Sequence, residues 1–107
     1  MATAALERAS FALDELVPAR VVAARTVEDV VAAIRDANES REAIVLWGGG
    51  TRIGVGDPPS RYDAALDLRG LDGVVGHEPG DLTITVRAGT TLAELARALA
   101  PHRQRWP

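Results

Sequence analysis

An α/β fold follows from three features of this 107-residue chain. A β-branched run, a helix-period segment and a continuous apolar run succeed one another between Arg20 and Trp47. Three glycines, Gly48 to Gly50, leave the apolar run directly. Further on, Leu82, Ile84, Val86 and Ala88 alternate with Thr83, Thr85 and Arg87. Period-2 alternation places one face of a strand against a core and the other in water.

Taken in order, Leu6, Ala9, Leu13 and Leu16 fall at helical spacing and predict an amphipathic helix over 4–16, stopped at Pro18. Arg20 to Ala24 reads as a short strand. Thr26-Val27-Glu28-Asp29 has the capping-box pattern: the Thr26 oxygen accepts from the amide three residues on, and Asp29 reaches back. Val27, Val30, Val31 and Ile34 then mark one apolar face of a helix that should end near Asn38 to Ser40. Ala43 to Trp47 suits a buried strand. Strand, helix and strand within about thirty residues make a βαβ unit with parallel strands.

From Gly48 to Ser60 the chain holds five glycines and two prolines, so a loop is expected. Ala64 to Leu68 predicts a strand and Gly70 to Gly73 a turn. Val74 to Glu78 and Leu82 to Ala88 predict a hairpin around Pro79-Gly80-Asp81. A second capping box, Thr91 to Glu94, opens a last helix, with Leu92, Leu95, Ala96 and Leu99 as its buried face and Pro101 at its end.

Composition narrows the function. Apolar residues at 47% and charged residues at 25% match an ordinary folded domain. A net charge of −3, scattered arginines and only four aromatics argue against nucleic-acid binding. The absence of cysteine removes disulfides, thiolate metal sites and thiol nucleophiles, and fits a cytoplasmic setting. No signal peptide is legible, and no apolar run approaches the roughly 20 residues of a membrane helix.

The chemistry concentrates in Trp47-Gly48-Gly49-Gly50-Thr51-Arg52. Successive backbone N–H groups form a concave nest for an anion. Glycine reaches positive φ without steric cost and lets a ligand approach the backbone. Thr51 adds a hydroxyl donor and Arg52 a positive charge. The Walker pattern fails, because the chain has no lysine. The Rossmann fingerprint also fails: counting from Gly48, the sixth position is Ile53, and Asp57-Pro58-Pro59 follows instead of a helix. On its own the loop fits both an anion nest and a plain glycine-rich turn.

Other polar residues offer less. His77 and Glu78 read as an exposed hairpin pair, and His102 has no evident partner. Asp63 and Asp67 lack a third metal ligand and read as turn and cap residues. Trp47 is expected to pack in the core or against the loop, and Arg69 and Arg87 to be solvated. No catalytic base and no metal site emerge.

Three blocks in a fixed order carry a resemblance. They are Thr26 to Ile34, Ile44 to Thr51, and Leu66-Asp67-Leu68-Arg69-Gly70-Leu71 through Leu82 to Thr90, closed by the helix from Leu92. Over roughly residues 18–107 the chain resembles the N-terminal part of the FAD-binding domain of FAD-linked oxidases, the vanillyl-alcohol oxidase or PCMH type. Residues 1–17 stand before it as an N-terminal helix. Within the family, Val86 to Thr90 and Gln104 to Pro107 resemble the FAD-binding subunit of glycolate oxidase. The resemblance implies a PCMH-type α/β (α+β) fold: the βαβ subdomain plus the first strands and helix of a second one. It implies that Gly48, Gly49, Gly50, Thr51 and Arg52 hold the FAD diphosphate. With no histidine in the loop, it implies noncovalent binding. It also implies a place in a hydroxy-acid oxidoreductase with partner subunits of a glycolate-oxidase-like complex. In the family the chain continues, near Trp106-Pro107, into a second glycine-rich segment and a substrate domain. Neither is present here, so the expectation is a partial flavin site that is inactive alone. The rivals are a truncated remnant or interaction module without flavin, and a binder of another phosphate-bearing ligand.

Overall fold

A computed structural model describes residues 2–107. The elements are α1 (Ala2–Ala9), β1 (Arg20–Ala23), α2 (Val27–Glu39), β2 (Ile44–Trp47), β3 (Ala64–Asp67), β4 (Val74–Glu78), β5 (Thr83–Val86) and α3 (Leu92–Leu99). They form a parallel three-stranded sheet in the order β1-β3-β2 and an antiparallel β4-β5 hairpin. The strand–helix–strand unit is therefore present, but β3 lies between its two strands. Arg20, Ile44 and Ala64 share one level of the ladder, as do Ala23, Trp47 and Asp67.

β3 is the centre of the molecule. Ala64, Ala65 and Leu66 have no exposed surface. Alternate residues of the sheet feed two cores. Leu66, Val22 and Ile44 face α2 and pack with Ala24, Val30, Ala33 and Leu68. Ala65, Val21 and Val45 face the opposite side and pack with Phe11, Leu13, Leu16, Trp47, Tyr62 and Ile53.

Three sequence expectations are corrected here. The first helix does not run over 4–16; it closes at Ala9. The Ser10 hydroxyl donates to the Leu6 and Glu7 carbonyls, and Asp14 takes φ 52°. Leu13 and Leu16 then exchange two backbone hydrogen bonds of 2.8 and 2.9 Å, which make a tight turn. Leu13 is thus buried from a turn, while Leu6 is exposed. The buried face of α2 is also rotated from the apolar face marked in the sequence. Val27, Val31 and Ile34 are exposed, and Val30, Ala33 and Ala37 face inward. The sheet presents branched side chains to the helix, so small residues let the helix approach. Finally, β2 is an edge strand rather than a fully buried one, and its Leu46 lies exposed.

Both capping boxes form as read. Asp29 N donates to Thr26 Oγ1 at 3.1 Å, and Glu94 N to Thr91 Oγ1 at 3.1 Å. Of the predicted α3 face, Leu95 and Leu99 are buried, whereas Leu92 and Ala96 are exposed. The hairpin turns at Pro79–Asp81 in a 3₁₀ turn. Its alternation is shallow: Ile84 and Val86 are half-buried, and Leu82 and Ala88 are exposed.

Charged groups pin the sheet ends. Arg20 makes two 2.9 Å hydrogen bonds to Glu42. Asp63 accepts from Ala43 N at 2.7 Å, consistent with a cap role. Arg69 is exposed as expected, and it also grips Asp67 at 2.8 and 2.9 Å and lies over the Phe11 ring, 5.5 Å from its centroid.

These pairings hold three carboxyls below their ordinary range. The Arg69 hydrogen bonds depress Asp67, the Ala43 amide depresses Asp63, and the Arg20 hydrogen bonds depress Glu42. A carboxyl depressed in the folded state takes up its proton more readily when the chain unfolds, so unfolding gains protons in acid. The stabilisation is complete above the ordinary carboxyl pKa of about 4 and is lost as pH falls through the lower folded values. Melting temperature should therefore fall from about pH 5 downward, and Asp67→Asn should flatten part of that slope. A melting curve set that is level from pH 6 to pH 3 would contradict these pairings.

Candidate functional site

The site is built where the parallel sheet meets the hairpin–α3 unit. Beneath the glycine loop lies the buried Trp47, the last residue of β2. The indole Nε1 donates to the Tyr62 hydroxyl at 2.8 Å, and that hydroxyl donates to the Phe11 carbonyl at 2.9 Å. Phe11 meets the indole edge-on at 5.2 Å between centroids. Burial pushes the Tyr62 phenol above its usual range, which keeps it protonated and donating. Trp47 is thus core packing that also fixes the start of the loop.

Gly50 lies over this ring. It takes φ 78°, and a Cβ there would stand 3.0 Å from Trp47 Cζ3, so glycine is required on two counts. Gly48 and Gly49 differ: nothing lies within 4 Å of where their Cβ atoms would be. They border open space, which is a cleft of about 810 Å³ lined by Gly48–Ile53, Thr90, Thr91, Leu92, Trp106 and Pro107.

Among the described residues, the amides of Gly48, Gly49, Gly50, Thr51 and Arg52 donate to no protein acceptor. Val55 N closes the loop by donating to the Arg52 carbonyl at 3.1 Å. The exposed Arg52 enters no ion pair among the described residues. All five sequence-predicted residues, Gly48 to Arg52, therefore come together on one wall of one cleft.

The other wall was not legible in the sequence. It is the start of α3. Thr90 Oγ1 accepts from Gly73 N at 3.0 Å, which anchors the turn into the helix. The capping box uses the amides of Thr91 and Glu94. The intervening Leu92 and Ala93 amides have no acceptor among the described residues and sit at the positive end of the helix dipole. The one available signal was the capping box itself, since a helix N-terminus favours anions. Nothing in the sequence placed it opposite a loop forty residues earlier.

Gly89 joins the walls. A Cβ there would meet the Leu68 carbonyl oxygen at 1.8 Å. Leu68 N in turn donates to the Trp47 carbonyl at 2.8 Å, and Gly89 N to the Leu71 carbonyl at 2.8 Å. Backbone contacts therefore run from the end of β2, through the end of β3, to the α3 entrance.

The remaining candidates fall elsewhere. His77 is half-buried rather than exposed, and its Nε2 lies 3.1 Å from Gln104 Oε1. His102 does have a partner: its ring meets that of His77 edge-on at 4.9 Å. No group of three metal-ligating side chains occurs among the described residues. No described helix is long and apolar enough to cross a membrane.

Fold and site together define a two-part α+β domain whose glycine loop and α3 entrance line one cleft. The chain belongs to the FAD-linked oxidase family: a family model described as an FAD binding domain matches residues 18–107. A search of the curated proteins finds no match. Among solved structures, alkyldihydroxyacetonephosphate synthase is similar, with a TM-score of 0.62 and 23% identity. The likeness covers 76% of this chain and 16% of the synthase chain, and at that identity it shows the fold.

The residues present fit a dinucleotide diphosphate. The loop is open where Cβ atoms of Gly48 and Gly49 would fill it, its amides meet no acceptor among the described residues, and Arg52 supplies charge. The cleft also lies within the roughly 300–1,000 Å³ range of small-molecule sites.

Proposed function

We propose that this domain binds FAD noncovalently and holds its diphosphate on the Gly48–Arg52 wall. The observation that carries the reading is a run of five amides that, among the described residues, meet no protein acceptor, in a loop that lines a cleft together with Arg52, which enters no ion pair among them. Thr51 adds its hydroxyl, and the α3 N-terminus adds a favourable dipole from the opposite side. Noncovalent binding is favoured because no histidine stands in the loop. The Val86–Thr90 and Gln104–Pro107 segments favour a glycolate-type, 2-hydroxy-acid oxidoreductase that works with partner subunits. Bound flavin would supply hydride-accepting chemistry; the chain's own residues bind and orient it. No side chain on the cleft walls is placed as a catalytic base, so proton transfer falls to residues outside this chain's cleft.

The experiment is a titration of the purified protein with FAD, followed by flavin fluorescence and absorption, with pyrophosphate as competitor. Saturable FAD binding displaced by pyrophosphate is expected. Absence of FAD binding would overturn the reading. Binding of pyrophosphate or ATP with no preference for FAD would move it to another phosphate-bearing ligand.

A further inference from the structure

Trp106 lines the cleft beside the glycine loop, with 64% of its surface exposed. Its neighbours explain how it is held. Gln104 is fixed on three sides: its amide nitrogen Nε2 donates to the Pro79 carbonyl at 2.7 Å, its Oε1 meets His77 Nε2 at 3.1 Å, and its backbone N donates to the Leu99 carbonyl at 3.2 Å. Arg103, at φ 57°, turns the chain into that position. The tail is therefore tied to the hairpin and to the end of α3, and Trp106 follows two residues later. It lines the same cleft as Gly48–Arg52, on the side of Thr90–Leu92. It also borders the shallower apolar depression over Ile84, Val86, Leu92 and Leu95. An indole on the same cleft as the glycine-loop amides, two residues from a tethered Gln104, offers a π-face to a ring that the anion carries.

Building on the proposed FAD site, we infer that Trp106 is the aromatic wall of the cleft and stacks on a ring of the bound dinucleotide. The amides and Arg52 hold the charge, and Trp106 holds a planar ring system. Gln104 is a positioning residue that aims the indole. Both ends of FAD carry such a ring, and the two sources can be told apart by ligands that contain one each.

The test uses the full chain and four probes: FAD, ADP, FMN and pyrophosphate. Binding is followed by calorimetry, with indole fluorescence as a second readout. Trp106→Ala should weaken FAD roughly tenfold or more, the usual loss when a stacking aromatic is removed, and should leave pyrophosphate unchanged. Trp106→Phe should restore most of the FAD affinity, because a flat ring is retained. If adenine is the stacked ring, ADP loses affinity with FAD and FMN does not; if isoalloxazine is, FMN does and ADP does not. Gln104→Ala should lower FAD affinity less than Trp106→Ala, again without touching pyrophosphate. Wild-type protein that binds FAD as tightly as the Trp106→Ala variant would overturn the inference while leaving the diphosphate cradle standing. Wild-type protein that binds no FAD would overturn the proposed function and this inference with it.

Discussion

Gly89→Ala is expected to lower the melting temperature by more than about 12 °C, as a loss of at least about 3 kcal/mol in a domain of this size implies. The added Cβ would lie 1.8 Å from the Leu68 carbonyl oxygen and 2.8 Å from the Leu71 carbonyl oxygen. Both are backbone atoms, so no rotamer change relieves the overlap. The hairpin–α3 unit must move away from the end of β3, which breaks the 2.8 Å bond from Gly89 N to the Leu71 carbonyl. That movement also carries Thr90–Leu92 away from the glycine loop, so the site should fail along with the fold. Gly80→Ala is the control: nothing lies within 4 Å of its Cβ position, and its melting temperature should change little. Thermal melts followed by circular dichroism check both. Equal melting temperatures for Gly89→Ala and wild type would mean that the two parts of the domain do not meet at this contact.

Gly49→Val should lower FAD affinity by about a hundredfold or more while leaving the fold intact. No atom lies within 4 Å of the Gly49 Cβ position, and Gly49 is not among the positive-φ glycines. The fold can therefore accept a side chain here, which is not true of Gly50. The valine methyls would occupy the cleft at the place where an anion meets the amides. Hydrogen bonds to a charged group contribute about 1.5–3 kcal/mol each, so losing one or two accounts for the expected factor. Circular dichroism and a melt confirm that folding is unchanged, and calorimetry with FAD reads the affinity. A Gly49→Val protein that binds FAD normally would leave the loop as a plain turn.

Much of this domain was legible because its signals are local. The two capping boxes at Thr26 and Thr91 are four-residue patterns, and each closes with the predicted hydrogen bonds. The Pro79-Gly80-Asp81 turn carries its own geometry. What escaped the sequence was what depends on distant partners. The position of β3 between β1 and β2 is set by which strand is apolar on both faces, and Ala64-Ala65-Leu66 is too short a run to announce that. The buried face of α2 does not follow its large apolar residues. The large Val27, Val31 and Ile34 face outward, while Ala33 and Ala37 let the helix settle on Leu66 and Leu68. The first helix was overextended because Leu13 and Leu16 have helical spacing yet belong to a turn.

The site divides along the same line. Gly48 to Arg52 stood out as three consecutive glycines leaving a strand, a pattern that fits an anion nest and a plain turn alike until the flanking blocks are added. The opposite wall, Thr90 to Leu92 and Trp106, is made of residues that are unremarkable one by one. The Gly89 contact with Leu68, the hydrogen bond from Gly73 N to Thr90 Oγ1 and the Gln104 hydrogen bonds bring them to the cleft. A glycine with no room for a methyl group looks, in sequence, like any other turn glycine.

The central claim is that the amides of Gly48, Gly49, Gly50, Thr51 and Arg52 receive the diphosphate of FAD. At 11.3 kDa the protein suits amide-resolved nuclear magnetic resonance, and a titration of ¹⁵N-labelled protein with FAD reads each of those groups directly. The largest changes are expected at these five amides, with downfield proton shifts as charged acceptors arrive, and the same five should respond to pyrophosphate alone. FAD binding that leaves the five amides unmoved while others shift would contradict the account.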